Sequence, residues 1–328
     1  MKAKISYTAR YLPERVLTNF DLEKMVDTTD EWIRSRTGIE KRHLVGEGEA
    51  TSDMCTMIAK QLLEKSGKAP EEIDLILIAT STPDYMVVST AALVQDKIGA
   101  INAWGYDIVA ACTGFVYAME TGSKLVESGQ YKNAMVIGAD TMSSIIDYTD
   151  RNTCVIFGDG GGGVILEPSK DETGILDSIL HVDGSGSKYL TVPAGGSLHP
   201  ASKDTVDKKM HYVYQDGKTV FKFAVKNMAD VSKRILDRNQ LTGDDIKLFI
   251  PHQANQRIID AAAKRCGLAD EKVFININRY GNTTAGTIPI ALDEAVESKR
   301  LKKDDILLLA AFGGGFTWGA MLIQWSNK

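Results

Sequence analysis

The chain has 328 residues, of which 44% are hydrophobic and 25% are charged, with a formal net charge of −5. At about 150 residues per domain, this length predicts two domains, and the composition is sufficient to bury a sizeable core. The negative charge argues against a protein built to coat nucleic acid, so no nucleic-acid partner is expected. Glycine is frequent, with 29 residues against 8 prolines, and glycine clusters mark close approaches of the backbone.

The sequence contains no recognisable motif for membrane insertion or for metal binding. The first residues, MKAKISY, lack the apolar stretch of a signal peptide, and the longest apolar run, Ile306 to Phe312, is too short to span a bilayer. The cysteines at 55, 112, 154 and 266 form neither a disulfide framework nor a zinc pattern, and the five histidines lack metal-ligand spacing. We therefore expect a cytoplasmic protein with no metal and no membrane contact.

In chain order, apolar runs alternate with amphipathic stretches, which indicates an α/β fold. The helix at 28–38 carries the clearest signals, with a hydroxyl residue at its start and a glycine at its end. Further helices are predicted at 51–67, 89–98, 112–128, 219–239, 255–266 and after 282. Strands are predicted at 73–79, 104–109, 134–138, 155–157, 163–166, 306–312 and 319–325. The polar, aperiodic segment 183–217 is predicted to be a long surface excursion.

Internal similarity predicts that the two domains are duplicated halves. Shifting the sequence by 170 places Cys112 on Asn282 and brings a Val-Glu-Ser triplet onto a second copy at 296–298. We therefore expect one half at 1–170 and another at 171–328, with Cys112 and Asn282 at equivalent helix starts.

Three residues are candidates for catalysis because each lies where a strand turns into a helix. Cys112 begins a helix, where free N–H groups and the helix dipole stabilise a thiolate and lower the pKa of the thiol. His252 and Asn282 lie at similar corners, where α/β proteins often hold functional groups. Taken singly, a core cysteine, a structural histidine and a helix-capping asparagine are competing explanations. Together the three form a much less ordinary set.

Five motifs strongly resemble those of 3-oxoacyl-[acyl-carrier-protein] synthase III. They begin at Ala110, Phe157, His252, Tyr280 and Gly313 and read AACTGF, FGDG, HQAN, YGNT and GGGFTWG. The resemblance covers essentially the whole chain and implies a thiolase-like fold, with two related halves in a layered αβαβα arrangement. It also implies a decarboxylative Claisen condensation, in which an acyl-CoA primer reacts with malonyl-acyl carrier protein (malonyl-ACP) to initiate fatty acid biosynthesis.

The resemblance assigns catalytic roles to specific residues. Cys112 would hold the acyl group, and the backbone N–H groups of Cys112 and Gly314 would bind the oxyanion. His252 and Asn282 would stabilise the enolate that forms when the malonyl group loses CO2. Unlike thiolases proper, the segment from Gly313 to Gly319 has no second cysteine, which favours decarboxylative condensation. Acyl-CoA is then a substrate, and no cofactor is implied.

The resemblance also implies a CoA site. Trp32 and Arg151 are similar to the pair that encloses the adenine between an indole and a guanidinium group. Arg36 and Asn255 are similar to contacts with the phosphates and the pantetheine. The alternative for Trp32 is a core anchor of its short helix.

Basic residues predict a docking face for the acidic acyl carrier protein. Arg257, Lys264 and Arg265 are spaced to share one face of a helix, and Lys222 resembles a further contact. A solvated charged face is the alternative. The family also implies a homodimer, in which residues 85–89 approach the acyl pocket across the interface; the length and branching of the primer stay open.

Other functions compete with this one. A relative could use Cys112 to acylate an oxygen or a nitrogen, or could be a polyketide starter enzyme with a different acceptor. A binding or chain-length-setting partner without chemistry is disfavoured because Cys112, His252 and Asn282 are all present. The run at 158–163 also matches a dinucleotide-binding glycine fingerprint, but it leads into an apolar strand, so we reject that interpretation.

Overall fold

A computed structural model describes residues 1–327 of the chain. Along this span the backbone forms thirteen strands: β1 (Ala3–Tyr11), β2 (Arg15–Thr18), β3 (Lys41–Leu44), β4 (Leu75–Ala79), β5 (Trp104–Ile108), β6 (Ala134–Asp140), β7 (Gly160–Pro168), β8 (Gly174–Val182), β9 (Leu190–Thr191), β10 (Tyr214–Gln215), β11 (Leu248–Pro251), β12 (Ile306–Gly313) and β13 (Thr317–Gln324). The described part also forms ten α-helices: α1 (Asn19–Leu22), α2 (Asp30–Thr37), α3 (Thr51–Ser66), α4 (Thr90–Ile98), α5 (Gly114–Glu127), α6 (Lys203–Asp207), α7 (Gly217–Arg238), α8 (Gln256–Cys266), α9 (Ile277–Tyr280) and α10 (Thr287–Glu297).

Two large sheets repeat one topology. The first has the order β1-β7-β6-β4-β5, and the second has the order β8-β13-β12-β11. In each sheet the two antiparallel pairs come first, β1 with β7 and β7 with β6, or β8 with β13 and β13 with β12. A parallel pair follows in each, β6 with β4 or β12 with β11. Four strands of each sheet therefore correspond in order and direction.

The side chains that alternate along each central strand define five layers. Leu75 and Leu77 of β4 point into the central cluster, which contains the buried faces of α5 and α10 and the inner face of the second sheet. Ile76 and Ile78 point the other way, into a cluster with α3 and α4. On the second sheet, Leu308 packs in the same manner against α7 and α8. The predicted αβαβα arrangement is confirmed.

Helix α2, which has the clearest start and stop signals in the sequence, forms where those signals predict it. Thr29 caps α2 by accepting a hydrogen bond from the N–H of Trp32 at 3.1 Å, and Gly38 ends it in the left-handed region at φ 84°. The predicted strand at 155–157 is wrong, because Phe157 forms only an isolated bridge with Asn282. No pattern in the sequence indicated β1 and β8, the two antiparallel strands at the edges of the sheets.

The glycine run forms β7, as its apolar continuation predicts. A Cβ atom at Gly162 would lie 2.8 Å from the carbonyl carbon of Pro289 and 2.9 Å from the nitrogen of Ile290. Glycine is therefore required for the close packing of α10 on the first sheet. In residues 1–327, no helix is both long and apolar enough to cross a bilayer.

The segment 183–217 is more ordered than an aperiodic excursion. It contains a short 3-10 helix at Gly184–Lys188, the β9–β10 pair and α6. Leu190 of β9 packs against Gly314 and lines the cavity described below. The excursion therefore contributes one wall of the site, a role that its polarity did not indicate.

Candidate active site

Cys112, His252 and Asn282 come together in a cavity of about 460 Å³. The cavity reaches from Trp32 on the outside to Cys112 and Gly313 inside, and most of its wall is apolar. The apolar lining is Val155, Ile156, Phe157, Leu190, Val220, Phe221, Ala224, Met228, Ala254, Ile258 and Phe312. A cavity of this form can hold an acyl chain while three polar side chains face its reactive end.

Cys112 lies in a tight turn at the start of α5. The turn follows Ala111, which adopts a left-handed φ of 46°, and Cys112 is 6% exposed. Burial raises the pKa of the thiol to about 12, and the nearby Asp140 adds to the rise, while the N–H of Cys112 and the Asn282 amide oppose it. The expected lowering of the pKa of this thiol is therefore wrong, because desolvation of the thiolate outweighs the donors at the helix start.

His252 follows β11 directly and is held at both its backbone and its ring. Its N–H donates to the carbonyl of Ala310 at 2.8 Å, and its Nδ1 lies 2.7 Å from Oγ1 of Thr287. The side chain is buried, and burial lowers the pKa of the imidazole to about 3. The ring is therefore neutral near pH 7, and its Nε2 is left for the cavity.

Asn282 bridges two segments of the cavity wall. Its N–H donates to the carbonyl of Ile156 at 3.0 Å, and its own carbonyl accepts from Gly158 at 3.1 Å. The Thr284 N–H donates to Oδ1 at 2.8 Å, so the side chain caps a turn locally. With Oδ1 engaged in this way, the amide group is the one that contacts the Cys112 thiol.

The two helix starts are related but are not equivalent residue by residue. Cys112 lies inside the 3-10 turn Ala111–Thr113 before α5. Asn282 lies two residues before the corresponding turn, Thr284–Gly286, which leads into α10. The expected match of Cys112 with Asn282 is therefore offset within otherwise matching turns.

The last glycine segment brings its backbone close to Cys112, as its composition predicts. Gly313 lines the cavity, and a Cβ atom there would lie 2.8 Å from the nitrogen of Cys112 and 3.1 Å from that of Thr113. Gly314 packs against Leu190, with its ideal Cβ position 3.3 Å from the Leu190 carbonyl oxygen. The closest contact is thus at Gly313, which in the sequence is one of three consecutive glycines with no feature of its own.

The predicted CoA residues lie around the cavity mouth with different local roles. The Arg151 guanidinium stacks over the Trp32 ring at 4.8 Å, and both side chains are partly exposed. Asn255 lines the cavity and caps α8, because its Oδ1 accepts from the Arg257 N–H at 2.9 Å. Its Nδ2 donates to the carbonyl of Arg36 at 2.8 Å. The Arg36 side chain is exposed.

The four predicted carrier-protein residues are all exposed but do not form one row. Arg257 stacks over Phe221 of α7 at 4.7 Å, and Arg265 pairs with Asp230 of α7 at 3.5 Å. Lys264 lies instead beside Gln256 and Asp260 on the adjoining face. Lys222 is on α7 next to Phe221. The predicted single face of α8 is therefore divided, with the two arginines on the side towards α7.

Several residues of the site carried no recognisable signal in the sequence. Leu190, Phe221 and Met228 line the cavity, yet as isolated apolar residues they resemble ordinary core positions in the sequence. Thr287 begins α10, and its contact with His252 depends on the tertiary fold alone.

Comparisons with known proteins agree with this geometry. Two family models match, one described as 3-Oxoacyl-[acyl-carrier-protein (ACP)] synthase III over residues 106–184 and its C-terminal counterpart over residues 236–325. The beta-ketoacyl-[acyl-carrier-protein] synthase III of Chlorobium luteolum is 57% identical over 99% of this chain and 100% of the relative. That of Koribacter versatilis is 55% identical over 99% and 98%.

Solved structures give the same result. A crystal structure of 3-oxoacyl-[acyl-carrier-protein] synthase III from Aquifex aeolicus matches with a TM-score of 0.91 and 43% identity, covering 98% of this chain and 100% of that one. The motifs, the duplicated sheets and these matches over nearly the full length lead to one conclusion: the chain belongs to the 3-oxoacyl-[acyl-carrier-protein] synthase III family.

Proposed function

We propose that the protein condenses the acyl group of an acyl-CoA primer with malonyl-ACP, giving 3-oxoacyl-ACP, CoA and CO2 in the first condensation of fatty acid biosynthesis. The observation that carries this proposal is the single cavity that joins Trp32 at its mouth to Cys112, His252 and Asn282 inside. Family membership supports the same reaction.

The first half-reaction transfers the acyl group to Cys112. The sulfur attacks the thioester carbon, the bond from that carbon to the CoA sulfur breaks, and the thiol proton leaves with CoA as its thiol. Because the pKa of Cys112 is about 12, the free thiolate is scarce and the proton must leave as the sulfur attacks. The N–H groups of Cys112 and Gly314 would bind the oxyanion of the tetrahedral intermediate.

The second half-reaction uses the two neutral side chains. The bond from the malonyl carbon to its carboxylate breaks, CO2 leaves, and the electron pair moves onto the thioester oxygen as an enolate. The Asn282 amide and the Nε2–H of His252 would donate to that oxygen. His252 presents Nε2–H when the Thr287 hydroxyl donates to Nδ1, 2.7 Å away. The carbanion then attacks the Cys112 thioester, and the released thiolate takes a proton from water.

The mouth of the cavity supports CoA as the donor. Trp32 and Arg151 would open from their mutual stack to enclose the adenine, and Arg36 and Asn255 would contact the phosphates and the pantetheine. The acyl chain would lie along the apolar wall beyond Phe157. In this scheme acyl-CoA is a substrate and Cys112 is the acyl carrier, so the reaction requires no further cofactor.

Malonyl-ACP would dock on the rim formed by α7 and α8. Arg257 lies at the start of α8 beside the cavity and stacks on Phe221, which lines it. Lys222 follows on α7 and is exposed. Arg265 and Lys264 extend the positive charge away from the mouth, and such charge would steer an acidic partner towards the tunnel.

A homodimer is part of the proposal. The side chains of Tyr85, Met86, Val87 and Val88 are exposed by 61%, 80%, 94% and 44%. They precede α4 on the side of β5, the edge strand of the first sheet. Burying this apolar segment against a second copy would remove it from water. Analytical ultracentrifugation of the wild type and of Val87→Asp would test it, since a monomeric wild type contradicts the dimer.

The halves at 1–170 and 171–328 are proposed to be duplicated units that share one core. The proposed boundary falls in the connection between β7 and β8, where the first sheet ends and the second begins. The central cluster contains residues of both sheets, including Leu77 and Leu309. Each half alone would therefore expose one face of its sheet.

One assay tests the proposed function. The wild type is mixed with acyl-CoA and malonyl-ACP, and the mass of the carrier-bound product is measured, using primers from about two to twelve carbons, straight and branched. A 3-oxoacyl-ACP product supports the proposal, whereas no such product with any primer contradicts it. His252→Ala and Asn282→Ala should still acylate Cys112 but lose about 3 to 4 kcal/mol of stabilisation in decarboxylation.

A further inference from the structure

Asp140 is a fully buried carboxylate that the proposed mechanism does not use. It ends β6 in the first half of the chain and is 0% exposed. Each of its oxygens accepts one backbone N–H, from Ser81 at 2.6 Å and from Ala285 at 3.2 Å. Three hydroxyl groups also donate to the carboxylate. Those of Thr80 and Thr82 donate to Oδ1, and that of Thr284 donates to Oδ2. A buried carboxylate is costly, so a set of five donors around it indicates a specific purpose.

The hydrogen bonds of one Asp140 oxygen, Oδ2, connect β6 to the second half of the chain. Oδ2 accepts the Thr284 hydroxyl and the Ala285 N–H, both in the turn that precedes α10. This turn packs directly on β6, since a Cβ atom at Gly138 would lie 2.4 Å from the Ala285 carbonyl oxygen. Thr284 has a φ of 48°, in the left-handed region where a β-branched residue is strained. A threonine there indicates that its hydroxyl is needed.

The same turn holds both side chains of the condensing step. The Thr284 N–H donates to Oδ1 of Asn282 at 2.8 Å, which directs the amide group inwards. Oγ1 of Thr287 lies 2.7 Å from Nδ1 of His252 and 3.1 Å from the Thr284 carbonyl, and its single hydroxyl proton is donated to Nδ1 when His252 presents Nε2–H. Thr284 thus bonds directly to Asn282 and begins the turn, Thr284–Gly286, that leads to Thr287 beside His252. Asp140 in turn supports Thr284.

We propose that Asp140 is a positioning residue for the condensation step, acting through Thr284 and Thr287 on Asn282 and His252. This inference rests on the proposed function. Donors that stabilise a developing charge must be held to within about 0.5 Å, and Asp140 fixes the turn that sets both of them. In acyl transfer the oxyanion would be bound by the N–H groups of Cys112 and Gly314 rather than by these two side chains. Asp140 therefore acts on condensation more than on acylation.

The substitution Asp140→Asn tests the proposal. An amide nitrogen on the side of Oδ2 would meet the Ala285 N–H donor to donor, while the amide oxygen could still accept from Ser81. The KM for acyl-CoA should stay within about 3-fold, while kcat for condensation should fall about 10- to 100-fold. Acylation of Cys112 should not slow, because removal of the Asp140 charge lowers the pKa of the thiol. A variant that is folded and condenses at the wild-type rate would refute the inference.

A matched pair covers the case in which Asp140→Asn does not fold. Thr284→Val removes the hydroxyl at nearly constant shape, and Thr284→Ser keeps it. The valine variant should lose condensation with acylation retained, and the serine variant should recover most of it. Thr80→Val is the control, because it removes a hydroxyl from the other oxygen of Asp140. Equal losses of acylation and condensation in all three threonine variants would reduce Asp140 to a structural role.

The same assay separates this inference from the proposed function. If the wild type forms no 3-oxoacyl-ACP, the proposed function fails. If the wild type turns over and Asp140→Asn and Thr284→Val turn over equally well, only the positioning role fails.

Discussion

Gly313 offers the sharpest quantitative test of the site. A Cβ atom at this position would lie 2.8 Å from the Cys112 nitrogen, about 0.6 Å short of the 3.4 Å at which ordinary contact begins. The neighbouring atoms leave little freedom to adjust, since the same Cβ would lie 3.1 Å from the Thr113 nitrogen and 3.2 Å from Oγ1 of Thr317. Gly313→Ala must therefore displace the turn that carries Cys112, the proposed nucleophile and oxyanion donor.

The expected loss follows from that displacement. Shifting reacting groups by a large part of 1 Å costs about 10- to 100-fold in rate, which corresponds to about 1.4 to 2.7 kcal/mol in activation free energy. Acyl-enzyme formation should slow by this factor, measured by quenched-flow mixing with acyl-CoA and mass spectrometry of the intact protein. Melting temperature and circular dichroism would confirm that the variant is folded.

Two other glycines supply matched controls. At Gly184 and Gly196, an added Cβ would have no atom within 4 Å apart from those of the residue itself and its chain neighbours. Gly184→Ala and Gly196→Ala should therefore both leave acylation unchanged. If Gly313→Ala acylated at the wild-type rate, the contact with Cys112 would not constrain the chemistry. If Gly196→Ala lost as much acylation rate as Gly313→Ala, the loss would be a general effect of adding a methyl group.

Three further predictions concern pH, docking and folding. Because the pKa of Cys112 is raised to about 12, its alkylation by iodoacetamide should keep accelerating up to about pH 10; a plateau near neutral pH would contradict this. Arg257→Glu should raise the KM for malonyl-ACP about 10-fold at low ionic strength and raise the KM for acyl-CoA much less. The control is Lys60→Glu, at an exposed residue of α3. Equal effects of Arg257→Glu on both KM values would contradict the docking role. Expressed separately, residues 1–170 and 171–328 should not form soluble folded domains, and a cooperative melting transition in either would oppose the shared core.

Local signals in the sequence account for most of the framework. A hydroxyl cap and a glycine stop predicted α2 to within two residues, and a glycine stop predicted the end of α3, since these signals act within a single helical turn. The start of α3 carries no hydroxyl cap, because its N-cap residue is Ala50. The short apolar run of β4 is buried on both faces and was likewise predicted. In contrast, β1 mixes polar and apolar residues, and its pairing with β7 is a long-range contact, so no local pattern indicated it.

The three candidate catalytic residues could be predicted as a set, but the pKa of Cys112 could not. Cys112, His252 and Asn282 each lie in a motif at a strand-to-helix corner, and the structure brings them to one cavity. The pKa of Cys112 was misjudged because a helix start visible in the sequence lowers it, whereas burial, which is not visible, raises it. The cavity wall and the contact of Thr287 with His252 likewise depend on tertiary packing.

The position of Cys112 relative to the second half depends on Thr113 and Thr317, whose hydroxyl groups each donate to a backbone carbonyl of the other's segment. Thr113 donates to the carbonyl of Thr317 at 3.2 Å, and the Thr317 hydroxyl donates to the carbonyl of Ala110 at 3.0 Å. These bonds tie the Cys112 turn to β13, while Asp140 ties β6 to the turn that holds Asn282. Each half thus fixes a turn of the other that borders the cavity. Because these hydrogen bonds run in both directions, Cys112 and the pair His252 and Asn282 keep their spacing only while the two sheets share the central cluster.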